Sequence, residues 1–191
     1  TAPYPLAKTL AEKKAWELCR QQTSLSPFEL VTINPSIVMG PVFTKRHVMN
    51  TSPKIIHHFM TGKIPASPAF FLNMVDVRDV ATAHRLALER TDATGRYLIS
   101  CEGRWMKEIV ISLKKSFPQL PASSLSFPKP LLYLIACFSK ELSLHYLRRN
   151  LGKKLLLTNE RSIQELGMTY HPMEVTLRDT AESLSKIFPS S

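Results

Sequence analysis

The chain has 191 residues, enough for one domain with a real core, and its 44% apolar and 21% charged residues are ordinary for a soluble globular protein. A formal charge of +10 raises a nucleic-acid or membrane partner. The charge is dispersed, however: the densest groups are the doublets Lys13-Lys14, Lys114-Lys115, Arg148-Arg149 and Lys153-Lys154, with no long basic run or interleaved aromatics, so they read as solvated helix faces and nucleic-acid binding is not expected.

In chain order, residues 5–22 read as a helix: Pro5 suits the first turn, and Ala7, Leu10, Ala11, Ala15, Leu18 and Cys19 repeat at helical spacing. Residues 28–33 (Phe-Glu-Leu-Val-Thr-Ile) read as a strand, followed by Asn34-Pro35-Ser36 and a break at Gly40-Pro41. A short helix is expected over 52–62 and an extended segment over 70–75. Asp76 looks like the N-cap of a helix running to about Arg90, with Asp79 on its first turn. A strand over 96–100, a helix over 104–116, a Pro- and Ser-rich loop over 121–130 and a helical region to about Leu151 follow. A short helix over 158–166 ends at Gly167, and a last helix spans 175–188. Only two convincing central strands emerge, fewer than a doubly wound sheet needs.

The three cysteines, Cys19, Cys101 and Cys137, show no pairing or metal spacing, which favours a reducing compartment, and a cytoplasmic location is expected. No signal-peptide pattern opens the chain. The most apolar stretch, Leu131 to Phe138, is too short to span a bilayer. His57 and His58 are adjacent, which is poor metal geometry, and no metal site is expected. His84 reads as structural. Met39, Met49, Met60 and Met74 read as core, with an apolar substrate pocket as the alternative.

Tyr4 and Lys8 are the residues whose spacing carries chemistry. Four apart on a helix, they share a face. A phenol is a poor acid–base group near neutral pH, and an ammonium beside it stabilises the phenolate. Such a phenol gives a proton to a carbonyl oxygen as hydride reaches the carbon. Taken alone, the pair is indistinguishable from an ordinary exposed i,i+4 pair.

The surroundings add to it. Residues 4–17, Tyr-Pro-Leu-Ala-Lys-Thr-Leu-Ala-Glu-Lys-Lys-Ala-Trp-Glu, closely resemble the catalytic helix of the extended short-chain dehydrogenase/reductases, nearest to the dihydroflavonol reductase, cinnamoyl-CoA reductase and aldehyde or ketone reductase group. In the same order, residues 30–41 resemble the family's strand and loop beside the nicotinamide, 75–84 its substrate-domain helix, 95–100 a later strand, and 166–168 and 176–181 its C-terminal helices. The likeness is weakest over 118–155.

This resemblance implies an α/β chain: the C-terminal part of a Rossmann-like NAD(P)-binding domain with a small, mostly helical substrate domain. Core elements would occupy 1–40 and 70–103, and the substrate-binding region 41–69 and 104–191. Tyr4 would be the proton donor. Lys8 would support it and hydrogen-bond the nicotinamide ribose, while Pro35, Ser36, Ile37 and Val38 would line the nicotinamide of NADP or NAD. The glycine-rich turn that cradles the pyrophosphate has no counterpart among the six scattered glycines, and the family's catalytic Ser or Thr belongs upstream of Tyr4. The whole enzyme is expected to reduce an aldehyde or ketone on a small molecule, with this stretch alone inactive and in need of an N-terminal half or of homo-oligomerisation. The alternatives are a nucleotide-sugar epimerase or dehydratase, a steroid dehydrogenase/isomerase, and a non-catalytic interaction module built on a degenerate reductase.

Overall fold

A computed structural model describes residues 3–23, 27–50, 52–138 and 144–189. In chain order the elements are α1 (Pro3–Gln21), β1 (Val31–Pro35), β2 (Ile37–Met39), α2 (Lys45–Asn50), α3 (Lys54–Met60), β3 (Phe71–Asp76) and α4 (Val77–Glu89). There follow β4 (Gly95–Ile99), β5 (Glu102–Trp105), α5 (Met106–Ser116), α6 (Lys129–Phe138), α7 (Leu144–Asn150), α8 (Glu160–Leu166) and α9 (Met173–Ile187).

The described residues contain five strands rather than two, in two small sheets. Strand β1 pairs in parallel with β4, from Val31 opposite Gly95 to Pro35 opposite Ile99. Strand β2 pairs in parallel with β3, and β3 antiparallel with β5. The sequence hides β2 and β5 because they are three and four residues long, too short for an alternating pattern. The helix expected over 104–116 therefore begins later, at Met106, where the Glu108 carboxylate accepts from the Trp105 N–H at 2.8 Å. The strand expected over 28–33 also starts later. Both backbone groups of Phe28 are taken by the Gln22 side chain, at 2.9 and 2.8 Å, so that residue has no need of a strand partner.

Two apolar clusters hold these layers. In the larger one, Met39 and Met74 of the β2-β3-β5 sheet, Phe59 of α3, Ile109 and Leu113 of α5 and Leu177 of α9 are all buried. Full burial of such side chains stabilises by about 1.5–3 kcal/mol each. In the smaller one, Tyr97 and Ile99 of β4 pack with Ala83 of α4 and Leu166 of α8. Helix α8 stops at Gly167, whose φ of +72° is in the left-handed region and whose N–H reaches the Ile163 carbonyl at 3.1 Å.

A buried polar knot ties the C-terminal helix to the β2-β3-β5 sheet and to α4. Asp76 caps α4 and is fully buried; its carboxylate accepts from the Arg78 N–H at 2.8 Å, from the Arg78 guanidinium at 2.8 and 2.7 Å, and from the Thr176 hydroxyl at 2.8 Å. Arg78 continues to Asp179 at 2.9 Å. Nearby, the Gly40 N–H donates to Thr180 Oγ1 at 2.8 Å. Gly40 has φ +127°, and a Cβ there would meet Val77 Cγ1 at 2.8 Å, so only glycine lets the chain pass.

Helix α1 stands apart. Of the stripe that predicted the helix, Leu10 and Leu18 are 55 and 53% exposed and only Ala15 and Cys19 are half-buried, so it lies mostly outward rather than on a core. Its anchor is polar: Glu12 accepts from Arg96 Nε at 2.5 Å and from the Thr32 hydroxyl at 3.1 Å. The Arg96 guanidinium holds the Glu12 carboxyl below its ordinary range.

Candidate functional site

A cleft of about 880 Å³ opens where the two sheets meet. One side is Tyr4, on the first turn of α1 and 74% exposed. Its floor is the run Pro35, Ser36, Ile37 and Val38. This run is where the chain changes sheets. Pro35 lacks an N–H and ends β1, the Ser36 N–H still bonds the Ile99 carbonyl at 2.9 Å, and Ile37 already faces Met74 in the other sheet. The Ser36 hydroxyl is buried and has no hydrogen-bond partner among the described residues.

Of the six residues singled out from the sequence, five line this cleft together: Tyr4, Pro35, Ser36, Ile37 and Val38. Lys8 is not part of its lining; it is exposed, one helical turn along α1 from Tyr4. The far wall was not legible in the sequence. It consists of Phe70 to Asn73 at the start of β3, and of Tyr146, Arg149, Asn150, Lys153, Lys154, Leu155 and Leu157 from α7 and the segment after it. That segment is laid across β3 by two hydrogen bonds, Gly152 N–H to the Ala69 carbonyl at 2.7 Å and Asn73 Nδ2 to the Leu155 carbonyl at 2.9 Å. Gly103, opposite Asn73 in the register, leaves room for the Phe71 ring, which meets the Trp105 ring edge-on at 5.2 Å.

A second constellation has the composition of a nucleophile triad but not the chemistry. Asp79 is buried and bonds both the His171 N–H, at 3.1 Å, and His171 Nδ1, at 2.5 Å. Cys101 lies against the same histidine, yet its thiol donates to the His171 carbonyl, not to the ring. Burial, reinforced by Glu102, pushes that thiol up to about 11, so it is protonated and inert at neutral pH. Asp76 and Asp79 thus serve the start of α4. His84 bonds the Val80 carbonyl of its own helix. Met39 and Met74 are core; Met49 has no described side chain. His57 is buried against Phe188, at 4.4 Å between ring centroids, and burial lowers its pKa. The described residues contain no cluster of three or more metal-ligating side chains and no helix long and apolar enough to cross a membrane.

No family model matches the chain. It is 30% identical over 185 residues to the cinnamoyl-CoA reductase CAD2 of Medicago truncatula, covering 96% of this chain and 48% of that protein. It is 30% identical over 189 residues to the NADPH-dependent methylglyoxal reductase GRE2 of Saccharomyces cerevisiae, covering 96% and 51%. The crystal structure of Gre2 from Candida albicans in complex with NADPH shares its fold with a TM-score of 0.68 and 28% identity, over 93% of this chain and 49% of that one. The chain is thus similar over nearly its whole length to cinnamoyl-CoA reductases and Gre2 reductases, as the resemblance to the extended short-chain dehydrogenase/reductases implied. It spans about half the length of the curated relatives it matches, and its α/β fold corresponds to the C-terminal part of these Rossmann-type reductases.

Proposed function

We propose that the whole protein containing this short-chain reductase segment reduces an aldehyde or ketone with NADPH, and that Tyr4 is the proton donor. The observation that carries the reading is the cleft that the exposed Tyr4 lines together with Pro35, Ser36, Ile37 and Val38. The relatives named above are reductases, one of them described as NADPH-dependent. The residues present suit the nicotinamide end of that cofactor: an apolar floor at Ile37 and Val38, and a buried, unanswered hydroxyl at Ser36. They do not supply a pyrophosphate cradle, since the six glycines form no glycine-rich turn.

The bound cofactor supplies a hydride to the carbonyl carbon. The chain's own task is the proton. As the carbonyl π bond breaks, the oxygen gains charge, and the Tyr4 phenol gives it a proton to complete the alcohol; the phenolate recovers its proton from solvent. Lys8, four residues on along the same helix, supports Tyr4 in this reading and offers donors to the ribose. The 74% exposure of Tyr4 and the outward stripe of α1 fit a helix covered, in the whole protein, by the part of the fold that the relatives have and this stretch does not span.

The test is Tyr4→Phe in the whole protein. Turnover should fall by about 10²- to 10⁴-fold while the NADPH dissociation constant stays within about twofold, because the proton is needed in the transition state and the cofactor has other contacts. Near-normal kcat refutes the role of Tyr4. The 191-residue chain alone should bind NADPH weakly or not at all; micromolar binding in a calorimetric titration would mean that the main cofactor contacts lie within this chain.

A further inference from the structure

Two basic doublets, Arg148-Arg149 and Lys153-Lys154, read in the sequence as solvated faces. Three of these four residues, Arg149, Lys153 and Lys154, stand on the wall of the Tyr4 cleft. Their placement belongs to the fold, not to a free loop. The backbone is pinned on one side of the lysines by Gly152 to Ala69 and on the other by Asn73 to Leu155. The Lys154 ammonium lies 5.4 Å from the centroid of the Phe71 ring, another cleft residue.

Among the described residues no acid answers these cations. The described residues lining the cleft include no Asp or Glu, and Arg149 and Lys153 make no ion pair with any described residue. The other large concavity, about 1070 Å³ beside α1 and β4, is built differently. It contains Glu12 and Glu17, which pair with Arg96 and Lys14. Its carboxylates are answered within the chain. In the Tyr4 cleft, like charges share one concavity with low-dielectric walls, where the positive potential is focused and an incoming anion relieves it.

We infer that Arg149 and Lys153, with Lys154 beside them, form an anion subsite, so that the cleft takes a carbonyl compound bearing a carboxylate or phosphate. The inference rests on the reductase reading for the carbonyl and on the cations for the anion. Arg149 offers two parallel donors to an oxyanion and Lys153 a point charge. The volume of the cleft, about 880 Å³, is that of a site for a molecule long enough to have separate polar ends.

The experiment uses the whole protein, saturating NADPH and a matched pair of aldehydes, para-carboxybenzaldehyde and its methyl ester. The acid should have a kcat/KM about tenfold or more above that of the ester, carried by KM. The double variant Arg149→Gln, Lys153→Gln should bring the two to within about twofold. Equal values for acid and ester in the unmodified protein overturn the inference. So does a double variant that keeps the preference for the acid but binds NADPH less tightly, because the cations would then serve the cofactor's phosphates. If neither aldehyde is reduced, calorimetric titration with terephthalate decides the anion subsite by itself. Binding that vanishes in the double variant upholds the subsite though the reductase reading fails; no binding to the unmodified protein overturns it.

Discussion

The two regions that meet at the cleft are held together by different physics. The β2-β3-β5 sheet with α3, α5 and α9 is a packed apolar core, closed by a buried polar knot at Asp76. Helix α1, which carries Tyr4, exposes its leucines and is fastened by the Glu12 carboxylate to Thr32 and Arg96. Surface ion pairs of the Glu12–Arg96 kind contribute about 0–1 kcal/mol, less than one buried leucine. The packed core therefore supplies Ile37 and the β3 residues of the cleft lining. The part that carries Tyr4 is held instead by a few polar contacts at the surface.

The sharpest way to break this contrast is a pair of truncations in the whole protein, read by urea denaturation. Leu177→Ala, in the core of α9, should destabilise by about 2–5 kcal/mol. Leu10→Ala should destabilise by at least about 2 kcal/mol if the stripe of α1 is covered there, and by no more than about 0.5 kcal/mol if it stays as exposed as here. The smaller value would leave α1 a surface helix and remove the argument for a covering half.

The next comparison concerns the knot. Burial alone would raise the pKa of Asp76, but hydrogen bonds from Arg78 and Thr176 outweigh it, and the carboxyl lies below its ordinary range. A depressed native pKa means that the stabilisation is complete above the unfolded value of about 3.9 and is lost as pH falls through the native one. Asp76→Asn should cost about 3 kcal/mol at neutral pH and flatten the loss of stability in acid. Urea midpoints at neutral pH and near pH 3 check this. An unchanged acid profile would mean that other carboxylates govern it.

The smallest effect separates the cysteines. At mildly alkaline pH iodoacetamide should label Cys137, which is exposed, faster than Cys101, whose thiol is protonated and half-buried. Equal rates would show that the cluster of Cys101, Asp79 and His171 opens in solution.

What the sequence discloses follows the same divide. Elements with local signals were readable: α4 through its cap Asp76 and α8 through Gly167. One side of the cleft was readable too, because Tyr4 and residues 35–38 lie within recognisable runs. The far wall was not. It joins β3 to a segment some eighty residues later through bonds such as Asn73 to Leu155, and neither stretch shows any sign of the other. Arg149 and Lys153 looked like solvated charge because nothing local tells an exposed lysine from one facing a concavity. Strands β2 and β5 escaped for the same reason: each is defined by its partner in β3 rather than by its own alternation.

The crossing at Pro35 and Ser36 has a mechanical consequence. A single residue separates a strand bonded into one sheet from a strand bonded into the other, so the extended run over residues 31–39 acts as an axle joining two plates. The cleft lies directly over that axle. Helix α4 packs on strands of both plates, so a change in the angle between them would be shared by the space that Tyr4 and residues 35–38 line, and a ligand preferring one width of it would bias that angle by the same linkage.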